Sequence, residues 1–169
     1  MTGYEIHEWS DFALAQLGAS AALLGLVFVG LSINLRDVIS NTSLVNRAAE
    51  AVIALAGVLV AATCVLIPNQ SRTALTIELL VIGVVLLATN LRLQRADFAP
   101  TPADHRDPPR ASRVLRHVLG IGTPLLLIVA AVTLVAEGGG GLYWWPAAIV
   151  AAYAAAISNA WVLLIEILR

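Results

Sequence analysis

The side chains that could do chemistry in this chain are a few polar residues set within or beside long apolar runs. Glu50, Ser158 and Asn159 lie inside such runs, and Asn34 and Asn90 lie close to the ends of two others. A polar group among apolar neighbours in a membrane costs free energy unless it is paired or hydrated. These residues therefore either hold helices together or line a polar path for an ion or a small solute.

Glu50 is the carboxylate that lies deepest in the second apolar run, about 10 Å along a helix with a rise of ~1.5 Å per residue. Arg47 and Asn46 precede it by three and four positions, so we expect the carboxylate to pair within its own helix. Alternatively, Glu50 shares a polar vestibule with Asn34 and Asn90, which we expect at similar depth.

Asn159 lies ten residues before the C-terminal end, about 15 Å along a helix and thus near the bilayer centre. It extends a stripe of small residues, Ala147, Ala151 and Ala155, which predicts close helix packing. The amide then either forms an interhelical hydrogen bond or, with Ser158, lines a hydrated path.

Two further titratable residues lie near the ends of apolar runs. Glu78 stands within two turns of Arg72 at the start of the third run, where the helix dipole favours a carboxylate, so a structural role is expected and a site on this side remains the alternative. His117 lies beside Arg113 and Arg116, and we expect it on a solvated interfacial face. We expect the arginines from Arg92 to Arg116 to set the topology and to contact anionic lipid headgroups.

The sequence offers no recognisable catalytic or metal-binding set. Ser20 stands in a Gly-x-Ser-x stretch similar to that of rhomboid intramembrane proteases, but His117 is predicted near the opposite membrane surface. Cys64 is the only cysteine, all ten basic residues are Arg, and no His-Glu-x-x-His is present. We therefore expect no enzymatic activity, no metal and no cofactor.

Five apolar runs must position these residues. Apolar side chains make up 59% of the 169 positions and charged ones 12%, a composition outside the range of soluble domains. We predict an all-α, polytopic membrane bundle that forms a single domain over residues 1–169. Its predicted spans are about 12–35, 44–67, 73–93, 114–136 and 143–168.

Small residues follow one face of the first span, which carries no charge from Phe12 to Leu35. Such a face allows the backbone of another helix to approach closely. Because the first and fifth spans both carry such faces, we expect a symmetric homo-oligomer. The residues of the first-span face are Ala15, Gly18, Ala22 and Gly25.

The connections between the spans set the predicted orientation. A linker rich in Pro and Arg, about 94–113, and the other arginine-bearing segments fall on one side, whereas Arg72 alone falls on the other. The positive-inside rule then places the N-terminus outside, the C-terminus inside and the linker in the cytoplasm. Interspersed aspartates and the lack of aromatic platforms argue against nucleic-acid binding by the linker.

The amino-acid sequence from Gly18 to Asn34 resembles that of a group of short bacterial membrane proteins, mostly actinobacterial. Some of these proteins are labelled modulators of the FtsH membrane protease. The resemblance covers the first two spans, roughly the first 70 residues, and rests on small and apolar residues. It implies an accessory role and carries over no site residues.

From these patterns we predict a non-enzymatic, homo-oligomeric, multi-pass protein of the bacterial cytoplasmic membrane. Its expected function is a small pore for ions or a small solute. The alternative is an accessory subunit that packs against a larger membrane complex. The predicted pore lining is Asn34, Glu50, Asn90, Ser158 and Asn159.

Overall fold

The computed structural model describes residues 3–96 and 110–167, and every regular element in this part of the chain is a helix. Most of the predicted linker, residues 97–109, and the end of the predicted fifth span, Leu168, lie outside the described residues. The α-helices are α1 (Ser10–Ile33), α2 (Leu35–Ser40), α3 (Thr42–Val65), α4 (Arg72–Ala96), α5 (Arg110–Val135) and α6 (Trp144–Ile167).

Five of these helices are long and apolar enough to cross a membrane, and only the six-residue α2 is too short. The predicted all-α bundle with five candidate spans is thus confirmed, and the chain is a multi-pass membrane protein. The apolar segments are Ile6–Ile33, Thr42–Val65, Arg72–Arg95, Val114–Val135 and Gly141–Trp161.

The bundle has two ends. One end, here called the N-terminal face, brings together the N-terminal segment, the α3–α4 turn and the α5–α6 turn. There the Leu142 amide donates to the Gly3 carbonyl at 2.8 Å, and Arg72 binds both Glu5 and Glu137. The opposite end, here called the α2 face, carries α2 and the start of α3.

Four helices form a closed ring, and α1 packs on its outside. In the ring α3 contacts α4, α4 contacts α5, α5 contacts α6 and α6 contacts α3. The main neighbour of α1 is α3, with a link to α6 in which the Tyr153 hydroxyl donates to the Gln16 side-chain oxygen at 2.9 Å. Consequently only 11% of the apolar window of α1 is buried, compared with 50% for α3.

The connection between α1 and α3 contains a helix that the sequence analysis did not anticipate. After Asn34 leaves helical geometry, α2 makes a short turn of helix whose Val38 is buried against Leu44 and Leu163. Asn41 then caps α3 by accepting a hydrogen bond from the Ser43 amide at 3.0 Å. The polar segment before α3 therefore acts as an N-terminal cap.

Close helix approaches occur at glycines other than those of the first span. A Cβ atom at Gly57 would lie 2.7 Å from Leu86 Cδ1, and one at Gly83 would lie 2.7 Å from Ile128 Cγ1. By contrast, Gly18 and Gly25 have open space where a Cβ would be. With Ala15 and Ala22 they lie on the outer surface of the described protomer.

On α6 the fully buried small-residue stripe is Ala148, Ala152 and Ala156. The neighbouring stripe, Ala147, Ala151 and Ala155, runs from exposed to half-buried. Asn159, which is also buried, follows Ala155 by four positions and Ala156 by three, so it adjoins both stripes.

The largest cluster of buried apolar side chains lies mainly in the half of the bundle nearer the N-terminal face. Its largest fully buried side chain, Trp145, packs against a cluster of rings in which Phe12 and Trp9 lie at centroid distances of 5.3 and 6.4 Å. Leu79 and Leu134 are fully buried in the same cluster. The buried ionic groups lie in the other half.

Candidate functional site

A charged pair lies inside the bundle near the α2 face. The Glu50 carboxylate of α3 accepts two hydrogen bonds from the Arg116 guanidinium of α5, from Nε at 2.7 Å and from Nη2 at 2.8 Å. The two side chains are only 4% and 7% exposed. A two-point contact of this kind is the strongest arrangement for a carboxylate and a guanidinium, and it fixes the orientation of both groups.

Asn159 of α6 completes this cluster. Its amide nitrogen donates to Glu50 Oε2 at 3.3 Å, and the side chain is buried. Helices α3, α5 and α6 are thus joined through one carboxylate, which accepts three hydrogen bonds from two residues. We refer to Glu50, Arg116 and Asn159 as the ionic cluster.

The ionic cluster corrects two predictions. Glu50 is held by a residue on another helix, so pairing within α3 alone does not describe its environment. Arg116 was expected among the arginines that contact anionic lipid headgroups, yet it is buried inside the ring. The physical reason is that Arg116 lies two residues inside the apolar segment that starts at Val114, on the side of α5 that faces Glu50 of α3.

A cavity of about 60 Å³ adjoins the ionic cluster. One water occupies about 30 Å³ in the liquid, and a water-sized space next to polar groups is large enough to be hydrated. All four ring helices line this cavity. Its polar lining consists of Arg47, Glu50, Asn90, Arg116, Thr123, Ser158 and Asn159.

Four of the five predicted pore residues meet at this cavity, and Asn34 does not. Glu50, Asn90, Ser158 and Asn159 all line it. Asn34 instead ends α1, where its amide donates to the Gly30 carbonyl at 3.2 Å. The expected vestibule therefore unites Glu50 with Asn90 but leaves Asn34 apart.

Ser158 and Asn90 are each partly satisfied within their own helices. Ser158 Oγ donates to the Ala154 carbonyl at 2.6 Å, and the Asn90 amide nitrogen donates to the Leu86 carbonyl at 2.9 Å. The remaining hydrogen-bonding capacity of these side chains, one hydroxyl oxygen and one amide oxygen, is at or beside the cavity. A polar guest in the cavity would meet acceptors on α3, α4 and α6.

Beside the cavity, a buried amide of α4 lacks a hydrogen-bond partner among the described residues. Gln94 is 2% exposed, and its Nε2 has no acceptor there. It abuts Gly120 of α5, where a Cβ atom would come within 2.4 Å of that nitrogen. An unsatisfied buried donor favours an additional polar group at this point.

Helix α5 is weakened where it lines the cavity. Pro124 is buried within α5, and because proline has no N–H it cannot donate to the carbonyl of Gly120 one turn earlier. The helix is continuous in spite of this missing bond. Arg116 lies eight residues before Pro124, so the weak point separates the ionic cluster from the rest of α5.

A second group of polar residues lies at the N-terminal face. Glu78 is half-buried and accepts a short hydrogen bond from Gln70 Nε2, while Arg72 turns away from it to bind Glu5 and Glu137. An open cleft of about 360 Å³ separates the N-terminal segment from the α3–α4 turn. Glu78 and the ionic cluster therefore stand at opposite ends of the bundle.

The described residues do not assemble a metal site, and Ser20 is not placed against a base. No group of three His, Cys, Asp or Glu side chains comes together in residues 3–96 and 110–167. Ser20 is fully buried, and its hydroxyl donates to the Leu17 carbonyl of its own helix at 3.1 Å. The geometry of the ionic cluster suits binding and electrostatic positioning of a polar guest.

Comparison of the chain with protein-family models, curated proteins and solved structures returns no match.

Proposed function

We propose that this chain is a non-enzymatic, homo-oligomeric membrane protein that conducts a small ion or solute through the interior of each protomer. The observation that carries the proposal is the ionic cluster with its adjoining cavity. Ionisable groups inside a membrane segment are costly and typically mark ion or substrate pathways. The burial of Glu50 and Asn159 inside the ring favours a path within the protomer over one along an axis between copies.

The two cavities supply the two ends of this path. The cavity beside the ionic cluster serves the α2 face, and the cleft of about 360 Å³ serves the N-terminal face. Between them lie apolar side chains such as Val58, Leu86 and Leu127. In our proposal this apolar layer closes the path, and conduction requires the ring helices to move apart.

The proposed orientation places the α2 face in the cytoplasm of a bacterial cell. Arg36, Arg92 and Arg95 are exposed near that face, whereas Arg72 lies at the N-terminal face. An excess of arginine in short cytoplasmic connections is the usual determinant of topology. The proposed membrane is the bacterial cytoplasmic membrane, with the N-terminus outside.

The proposed homo-oligomer uses the open small-residue face of α1. The open space at Gly18 and Gly25 leaves room for the backbone of a neighbouring α1. A mass measurement in mild detergent should give a multiple of the 17.8 kDa chain. A monomer at every protein concentration would contradict this part of the proposal.

A second candidate function is supported by the same face of α1. An accessory subunit would use this face to dock on a different membrane protein, as the resemblance to the modulators of FtsH implies. The peripheral position of α1 outside the ring favours this alternative because the helix can contact a partner without disturbing the ionic cluster. Purification with a partner in fixed stoichiometry, together with no flux, would support it.

Ion flux into proteoliposomes tests the proposed conduction. We expect Glu50→Gln and Asn159→Leu to abolish flux, because the first removes the negative charge from the path and the second removes the amide. Ala155→Phe, which places a bulky ring in the cavity and leaves both charged side chains in the sequence, should abolish flux as well. Its matched control is Ala147→Phe on the exposed surface of the same helix, which should conduct like the unmodified protein. Flux that survives Ala155→Phe would overturn the proposed path.

A further inference from the structure

The Arg116 side chain occupies a position that a free cation of the same shape could fill. Its guanidinium is held by both carboxylate oxygens of Glu50, and Asn159 orients one of them. A carboxylate that presents two oxygens in a plane matches the paired N–H groups of a guanidinium better than it matches a spherical ion. The recognition elements for a planar cation are thus already assembled.

The cavity supplies space next to this position. Its volume of about 60 Å³ begins at the ionic cluster and is lined further on by Asn90, Gly120 and Ser158. A cation in this space would meet the neutral acceptors of Asn90 and Ser158 as well as Glu50, and Arg47 is a second guanidinium in the lining. Among the lining residues, Leu115 of α5 is exposed and Ser158 of α6 is half-buried.

The segment of α5 that carries Arg116 can move away from Glu50. Pro124 removes the hydrogen bond that would tie residue 120 to residue 124, so residues 110–123 can tilt relative to the rest of α5. Gln94 of α4 lies next to Gly120, but in the described structure its Nε2 donates no hydrogen bond. It therefore does not tie this part of α5 to α4 and does not oppose the tilt. A tilt away from α3 would withdraw Arg116 from Glu50.

We propose that Glu50 and Asn159 form a binding site for a small guanidinium-type cation, which Arg116 fills as a tethered occupant in the present state. The exchange has no charge cost at the carboxylate, because one monovalent cation replaces another. This inference rests on the proposed conduction, since it names the class of the conducted species. A site emptied without a replacement would leave a buried charge, which is strongly unfavourable.

Binding is tested with Arg116→Ala, which opens the position while leaving Glu50 and Asn159 in place. Guanidinium at millimolar concentration should raise the thermal unfolding midpoint of this variant, whereas the same concentration of sodium or tetramethylammonium should not. The matched control, Glu50→Gln with Arg116→Ala, lacks the carboxylate and should show no such shift. Equal shifts for all three cations would overturn the inference. Arg116→Gln, which retains an amide beside the carboxylate, is the second variant if Arg116→Ala does not fold.

Transport is tested with the unmodified protein in proteoliposomes and separates this inference from the proposed function. Uptake of guanidinium that exceeds uptake of sodium and potassium supports both. Uptake of alkali ions without guanidinium overturns the inference and leaves the proposed function in place. Guanidinium binding by Arg116→Ala without flux of any ion supports the site and overturns the proposed function. Pro124→Ala, which restores the missing N–H, should slow guanidinium uptake and leave the binding shift of Arg116→Ala unchanged.

Discussion

The Glu50 carboxylate of α3 accepts two hydrogen bonds, of 2.7 and 2.8 Å, from the Arg116 guanidinium of α5. The two residues are 66 positions apart in the chain. Both groups are withdrawn from water, so neither can be screened when the other is removed. Because each charge depends on the other, we expect substitutions at this pair to lower the stability of the ring more than substitutions elsewhere in it.

Removal of either partner alone should therefore destabilise the protein far more than removal of both. We expect Glu50→Gln or Arg116→Gln to cost about 3–5 kcal/mol in the free energy of unfolding, because each leaves one buried charge. Replacement of both by Leu and Met, respectively, should cost much less than the sum. Denaturation in mixed micelles measures these values, and additive losses would contradict the pairing.

The glycines at helix contacts should respond to substitution differently from the glycines of α1. Gly83→Val should cost about 1–3 kcal/mol in the free energy of unfolding, because an added Cβ meets Ile128 and lies 3.3 Å from the Pro124 carbonyl oxygen. Gly25→Val on the open face of α1 should change the stability of the monomer by no more than about 0.5 kcal/mol. Thermal unfolding at a dilution that yields monomers compares the two.

An equal loss for Gly83→Val and Gly25→Val would contradict the packing described here. In the proposed homo-oligomer, Gly25→Val should also reduce the assembled fraction at high protein concentration, because its side chain would enter the space left for a neighbouring helix. A reduction in assembly without a loss of monomer stability distinguishes an interface from a folding defect.

The ion pairs of Arg72 at the N-terminal face should matter much less than the buried pair. The Arg72, Glu5 and Glu137 side chains are 37%, 47% and 67% exposed, respectively. Arg72→Gln should therefore cost roughly 0–1 kcal/mol in the free energy of unfolding, and the loss should shrink as salt is raised. Arg92→Gln, at an exposed position in the same helix, is the control. A loss of several kcal/mol that ignores salt would be inconsistent with surface pairing.

The proposed orientation is open to a labelling experiment. Cys64 is the only cysteine, so Cys64→Ala provides a background without thiols. Asp104→Cys in that background should react with a membrane-impermeant thiol reagent only after the cells are opened, because the predicted linker is cytoplasmic. Thr2→Cys should react in intact cells. The reverse pattern would invert the topology.

The spans were predictable because their signal is strong, whereas the contacts between them were not. Five apolar runs specify five helices, since a membrane segment must satisfy its backbone hydrogen bonds internally. Which side of a helix faces its neighbours is a weaker signal when nearly every residue is apolar. Gly18 and Gly25 of α1 are therefore as conspicuous in the sequence as Gly57 and Gly83, although of these four only Gly57 and Gly83 lie close to another helix within the described protomer.

The pairing of Arg116 with Glu50 was not predicted, because the residues around Arg116 form a pattern that is typical of a membrane interface. Arg116 stands among Arg113 and His117 at the edge of an apolar run, a pattern typical of snorkelling side chains. The signal that could have identified it was Glu50, because a carboxylate within a span calls for a cation at a similar depth on another helix. On the predicted topology Arg116 was a candidate of that kind.

The long separation between Glu50 and Arg116 has a consequence for biosynthesis. At a ribosomal rate of about 5–20 residues per second, Arg116 emerges roughly 3–13 s after Glu50. Asn159 follows later still, 109 positions after Glu50. Helix α3 therefore leaves the ribosome before Arg116 and Asn159, the partners of its Glu50 carboxylate, have been synthesised. The ring can close only after α5 and α6 have been made. A nascent chain stopped before α5 should be retained by the insertion machinery longer than one stopped after it.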